Sequence, residues 1–252
     1  MMLKKKLLLL LNIVLCVAAM AQKTILTDEQ TWLAVLNQTR YSDKWGSWTD
    51  VHFRLKNDFI KEPSQFLIRV GPTYYINNDV RFTVAYNFIN HFPDETHPNI
   101  SIAEHRPFQQ LQWYTRFPKS RLMQWVRLEE RFRQNVKSNG SLGEGYNFNW
   151  RIRYNYVLSL PLGKKGFSPG SIQAVINNEI MFNFGKNIVF NYFDQNRLFA
   201  GLAYQFTPES NLQFGYMNVF TQQASGNKYK LFHCIRAFYF HNLDFRKTTK
   251  KS

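Results

Sequence analysis

Residues 147–161, NFNWRIRYNYVLSLP, put Phe148, Trp150, Ile152, Tyr154, Tyr156, Leu158 and Leu160 on one parity. The other parity carries Asn149, Arg151, Arg153, Asn155 and Ser159, with Val157 its single apolar residue. Alternation with period two belongs to a β-strand whose faces meet unlike surroundings. The pattern recurs along the chain. Thr49, Val51, Phe53 and Leu55 oppose Asp50, His52, Arg54 and Lys56. Val80, Phe82, Val84, Tyr86 and Phe88 oppose Arg81, Thr83, Asn87 and His91. Leu122, Val126, Leu128 and Phe132 oppose Arg127, Glu129, Arg131 and Arg133, and Ile172, Ala174, Ile176, Ile180, Phe182 and Phe184 oppose Gln173, Asn177, Glu179 and Asn183. The last segment, KYKLFHCIRAFYFHNLDF, is aromatic on both parities. About eleven such segments can be read, each close to the 9–11 residues with which a tilted strand crosses a bilayer.

The connections alternate in length. Short ones fall at 42–45, 77–78, 118–120 and 207–210; longer ones fall at 92–102, 137–146, 186–193 and 222–228. Short turns on one side and longer loops on the other mark an outer-membrane barrel, and closure removes the unpaired edges so many strands would otherwise present. The expected fold is therefore all-β: a single antiparallel transmembrane β-barrel. Bacterial single-chain barrels usually have an even strand number. A further strand in 23–29 gives twelve, the preferred count, whereas a non-spanning 30–40 gives ten. Glu130 falls on the apolar parity, so it is expected near a rim or beside a bulge, away from the costly bilayer centre.

A soluble β-sandwich or lipocalin-like barrel predicts the reverse polarity, with the apolar parity inside. The polar parity mixes Arg, Glu, Gln and Asn with Gly and Thr, whereas a soluble surface is more often rich in lysine and acids. That mixture favours a polar interior.

The N-terminal stretch MMLKKKLLLLLNIVLCVAAMAQ reads as a signal peptide: Lys4–Lys6, an apolar run to Val17, then Ala19-Met20-Ala21 as the cleavage motif. Leu15 before Cys16 argues against lipidation, because a small residue is needed there. The expected organisation is a signal peptide at 1–21, a barrel at 22–246 and a basic tail at 247–252. Cys234 is then the only cysteine left, so burial and backbone hydrogen bonds must hold the fold. The chain has 32 Lys and Arg against 17 Asp and Glu, and losing three signal-peptide lysines leaves an excess of 12. For an exported chain with no nucleic-acid motif, that charge suggests anionic lipid, lipopolysaccharide or an anionic solute as partner. Aromatic residues make up 17%, a composition suited to a membrane interface.

The segments EHRPFQQLQW (104–113), RLEERF (127–132), RIRY (151–154), DQNRLFAGLAYQF (194–206) and LQFGYMNVF (212–220) together resemble the bacterial domain-of-unknown-function family 2490. The resemblance implies an outer-membrane barrel in a Gram-negative bacterium and adds no chemistry. Barrel proteins often end in a strand whose last aromatic is read by the assembly machinery. Phe245 could serve, but RKTTKKS follows it.

The inward parity collects Arg54, Arg69, Arg81, Arg106, Arg116, Arg127, Arg131, Arg133, Arg151, Arg153 and Arg197, with Asp50, Glu104, Glu129 and Glu179 as the few acids. Arginine stays charged when buried, and its planar fork grips carboxylate or phosphate at two points. Two readings follow. Arg106, Arg127, Glu129, Arg131, Arg151, Arg153, Glu179 and Arg197 hold or pass an anionic solute. Alternatively, the same residues form a hydrogen-bonded plug, with Glu129 and Glu179 pairing neighbouring arginines, since unpaired buried charge is costly. A catalytic site is not expected. The outer-membrane lipid hydrolases use a serine–histidine pair on the barrel's outer face, and His105 is the one histidine of interest. It faces outward by parity, away from Glu104, with no serine at an obvious cross-strand position. No metal-ligand spacing and no cofactor motif is present. The expected role is a non-enzymatic, structural or small transport-related barrel. A lipid-modifying hydrolase and a soluble periplasmic binder of an anionic or apolar ligand are the alternatives.

Overall fold

The alternating segments become strands in a computed structural model that describes residues 23–246. The expected signal peptide and the tail at 247–252 lie outside the described residues. The elements are β1 (Thr24–Arg40), β2 (Trp45–Lys56), β3 (Glu62–Tyr75), β4 (Val80–His91), β5 (Ile102–Phe117), β6 (Ser120–Val136), β7 (Leu142–Pro161), β8 (Ile172–Phe184), β9 (Phe193–Gln205), β10 (Ser210–Gln222) and β11 (Lys228–Asp244). Each strand pairs with its neighbours in sequence, and β1 meets β11 to close one barrel.

The strand number is eleven, not twelve or ten. No separate strand lies in 23–29, and 30–40 does not stand apart: residues 24–40 form the single 17-residue β1. An odd number forces the first and last strands to run the same way. The closing pair is accordingly parallel, in register from Thr24↔Lys228 to Arg40↔Asp244, and the other pairs are antiparallel. β2 reaches only as far as Gln30, so the first residues of β1 pair with β11 alone.

The alternation of connection lengths holds only in part. One rim carries the tight turns at 41–44, 76–79, 118–119 and 206–209, but also the ten-residue connection 162–171. Gly163, Gly166 and Gly170 give that connection its left-handed positions, which glycine adopts without steric cost. The opposite, loop rim carries 57–61, 92–101, 137–141, 185–192 and 223–227.

Parity assigns the faces. Val51, Val70, Val84, Leu198 and Leu202 are 37–53% exposed on the outside, while Glu104 and Glu129 inside are fully buried. Aromatic side chains gather on the outer face toward both rims. Phe132, Phe148, Trp150 and Phe184 form a run with ring centroids 4.9–6.2 Å apart toward the loop rim. Trp45 meets Tyr74 at 5.2 Å and Tyr204 meets Phe206 at 4.9 Å toward the turn rim. Glu130 does lie outward. It sits in register with Trp150 in the loop-side aromatic band, where Gln109 Nε2 donates to it at 3.4 Å.

The interior is not uniformly polar. β1 and β8–β11 turn Trp32, Val175, Phe199, Ala203, Met217, Val219 and Cys234 inward as one apolar cluster, against which Val157, Phe232 and Phe238 pack. Gly201 and Gly215 sit opposite each other on β9 and β10, where an added Cβ at Gly201 would lie 2.6 Å from the Phe199 ring. Their missing side chains make room for that ring.

The parallel seam predicts a specific cross-link. Val35→Cys with Tyr239→Cys joins register partners, and neighbouring strands lie about 4.8 Å apart, within disulfide reach. Oxidation should yield a looped species on a denaturing gel. Val35→Cys with Ile235→Cys, four residues out of register and roughly 13 Å off, should yield none.

Candidate functional site

Inward positions two residues apart on adjacent strands set arginines beside carboxylates. β6 supplies Arg127, Glu129 and Arg131, β7 supplies Arg151 and Arg153, and the register places Arg151 opposite Glu129 and Arg153 opposite Arg127. Arg151 donates through Nε and Nη2 to Glu129 Oε2 (2.8 and 2.5 Å) and through Nη1 to Asp194 Oδ2 (2.8 Å). Arg153 bridges two acids, giving Nη1 to Glu129 Oε1 at 2.5 Å and Nε to Glu179 Oε1 at 2.7 Å. Arg197 Nη1 reaches the other Glu179 oxygen at 3.3 Å. Glu104 accepts from Arg106 Nε and Nη2 (2.6 and 2.7 Å) and Arg131 Nε (2.7 Å), and His91 Nε2 lies 2.8 Å from it. On β2 and β3, Asp50 accepts from Arg69 Nε at 2.8 Å and Trp48 Nε1 at 2.5 Å.

Every one of these carboxylates is held by charged or polar donors. A buried ion without such partners would cost several kcal/mol, so the lattice is the condition for burying these groups at all. It is concentrated on β5–β9, toward the loop rim.

Arg54, Arg127 and Arg236 are among the arginines that stand outside this pairing. Arg127 gives Nε and Nη2 to Gln110 Oε1 (2.9 and 2.6 Å); its Nη1 is 3.6 Å from Glu129, beyond hydrogen-bonding distance, and has no acceptor. Arg236 donates to Asn177 Oδ1 (3.0 Å) and Gln213 Oε1 (2.6 Å) and leaves Nε without an acceptor. Arg54 donates to Gln65 Oε1 at 2.6 Å, and its Nε is likewise unpartnered. Aromatic faces hold all three: Phe108 lies 4.1 Å from Arg127, Phe199 lies 3.5 Å from Arg236 and Trp32 lies 3.5 Å from Arg54. Such stacking stabilises a desolvated guanidinium but supplies no acceptor for its N–H groups.

All eight sequence-selected lumen residues, Arg106, Arg127, Glu129, Arg131, Arg151, Arg153, Glu179 and Arg197, point inward, and seven of them belong to the lattice. Arg116, assigned inward by parity, is instead 65% exposed at the turn rim and pairs with Asp79 at 2.7 Å, because β5 has there run past the barrel wall. Arg81 lies near that rim with Tyr114 Oη at 3.0 Å. Sequence reading missed Arg236 and Asp194. Arg236 shares parity with Cys234 and Phe238, but a strand aromatic on both parities hid its direction. It also missed the apolar wall, of which Val157, alone among polar neighbours, was the one visible sign.

His105 lies on the outer face, hydrogen-bonded to the Tyr86 hydroxyl and 3.3 Å from that of Tyr146, with Glu104 on the opposite face. His97 and Asp94 share a loop turn in which the Thr96 and His97 amides donate to Asp94 Oδ1. Among the described residues, no three His, Cys, Asp or Glu side chains gather as a metal site would require.

These features define an all-β closed barrel with an apolar exterior and an ion-paired interior. Residues 29–230 match the family described as "Protein of unknown function (DUF2490)", and the chain belongs to that family. No curated protein and no solved structure matches it.

Two adjacent glutamates separate the faces experimentally. Glu129→Gln leaves Arg151 and Arg153 short of their shared counter-charge and should cost about 3–5 kcal/mol in denaturant unfolding of the detergent-folded protein. Glu130→Gln, on the outer face, should change stability by less than about 1 kcal/mol.

Proposed function

We propose that the protein is a non-enzymatic barrel of the outer membrane of a Gram-negative bacterium, with an arginine-rich interior that is braced and holds an anionic solute. The inverted polarity carries this reading. Large aliphatic side chains line the outside while Glu104, Glu129 and Arg127 are buried inside. In water that arrangement would expose the apolar surface and desolvate the charges, losing on both counts; in a bilayer the outer surface meets hydrocarbon. Strands of 12–20 residues exceed what a tilted crossing needs, and aromatic bands toward both rims suit the two interfaces. Outer-membrane lipid and lipopolysaccharide are then the surrounding partners, and the barrel assembly machinery inserts the chain.

Bracing is favoured over an open pore because the interior is filled. From the middle of the barrel toward the loop rim, Glu104, Glu129, Ile89, Phe108, Met181 and Phe199 are fully buried. A lipid hydrolase is not favoured: the ring nitrogens of His105 face tyrosine hydroxyls, and its neighbouring carboxylate lies across the wall.

Cell fractionation followed by gels of unboiled and boiled samples tests the reading. The protein should sit in the outer-membrane fraction and migrate faster before boiling, and in planar bilayers it should show no steady open-pore current. A soluble periplasmic protein with no mobility shift would overturn the proposal.

A further inference from the structure

The lattice pairs most of the inward arginines and leaves a few cations to spare. A cavity of about 160 Å³ lies at mid-barrel, against the lattice, lined by seven arginines and a single carboxylate, Glu179. Of those seven, Arg69, Arg106 and Arg153 are held by Asp50, Glu104 and Glu129, while Arg153 and Arg197 share Glu179. Arg54, Arg127 and Arg236 remain without a carboxylate at hydrogen-bonding distance, and each has an N–H with no acceptor. Arg127 on β6 and Arg236 on β11 stand five strands apart around the wall, so they enter the cavity from facing sides. Both are buried, at 2% and 5% exposure.

The rest of the lining mixes neutral polar groups, such as Asn155, Asn177 and Gln213, with apolar faces that include Trp32, Leu67, Met217 and Phe238. A bare inorganic anion would satisfy the arginines and leave these faces uncovered. A volume near 150 Å³ is enough for one benzene ring. The way in is also defined. A second cavity of about 200 Å³ shares Leu36, Trp48, Met123, Val157, Gln213 and Phe240 with the chamber. It in turn shares Gln38, Arg81, Tyr114, Arg121 and Asn242 with a third, of about 370 Å³, at the turn rim. Phe167, from the long turn-side connection, lines the second cavity and stacks on Arg121 at 3.8 Å. The cavity at the loop rim shares no lining residue with the chamber. Glu104 and Glu129, each one inward position closer to the loop rim than the lining residues Arg106 and Arg127, are fully buried.

We propose that this chamber is a blind site, entered from the turn rim, for a small organic anion with an apolar body, of the size of an aromatic or short acyl carboxylate. The proposal rests on the reading of the interior as braced, and it moves the anion from the lattice to the chamber beside it. The carboxylate lies between the Arg127 and Arg236 guanidinium groups, and the apolar body lies against the wall formed by Trp32, Met217 and Phe238.

The test is a fluorine NMR titration of the full chain, folded in neutral maltoside micelles, with 4-fluorobenzoate as probe. Saturable binding is expected, with the neutral isostere 4-fluorobenzamide binding at least tenfold more weakly and inorganic phosphate failing to displace the probe. Arg127→Gln with Arg236→Gln should weaken binding tenfold or more. Val157→Phe, which narrows the passage with both arginines in place, should do the same, so the proposal does not depend on one variant folding. Equal binding of the amide, displacement by phosphate at equal concentration, or no binding to the parent protein would each overturn the chamber's assignment. If those results come from protein that still shows the heat-dependent gel shift, the barrel reading survives; if the shift is absent too, both fall.

Discussion

The interior depends on Glu129. Its two oxygens take three hydrogen bonds from Arg151 and Arg153, and through those arginines it is tied to Asp194 and Glu179, hence to Arg197. One fully buried carboxylate thereby links four strands, β6 to β9. The backbone ladder alone would join these strands only to immediate neighbours, as a flexible cylinder. The ion-pair bridges brace it across its width, and they work only while the site stays dry and fully paired.

That bracing divides the lumen by charge. Where acids and arginines alternate, the interior is a neutral solid. Around Arg54, Arg127 and Arg236, the acids give way to glutamine and asparagine, which accept hydrogen bonds but cancel no charge, and to aromatic faces. The apolar wall across from the lattice is the complement of this change. Phe199 and Met217 occupy inward positions that arginine or glutamate could have held, and Gly201 and Gly215 clear space for the Phe199 ring.

Much of this could be read from the chain itself, because period two is a local signal. The facing of Arg151 and Arg153, the outward placement of Glu130 and the pairing of Glu129 and Glu179 with arginines all follow from parity and the cost of buried charge. Parity fails where both faces carry the same kind of residue. In β11, Phe232, Phe238 and Phe240 point inward while Tyr239 points outward, so Arg236 gave no sign of its direction. Parity is also silent on how far a strand continues past the wall, which is why Arg116 reached the rim. The strand count was lost to a general preference for even numbers, when residues 24–40 contain no glycine or proline to divide them. Neither cavity volume nor the lattice's extent is local, and both needed the assembled barrel.

The parallel seam has a consequence for how the molecule comes to exist. Ten of the eleven strand pairings join consecutive strands, so each can form as its hairpin closes. The eleventh joins side chains such as Asn37 and His241, which are 204 residues apart. Until β11 arrives, β1 presents a free edge of up to 17 residues, the kind of edge that recruits other chains. Sequence-distant pairing is slow, since the loop must close before any contact rewards it. The first strand made is therefore the last to be completed, and the barrel's weakest moment is the interval in between.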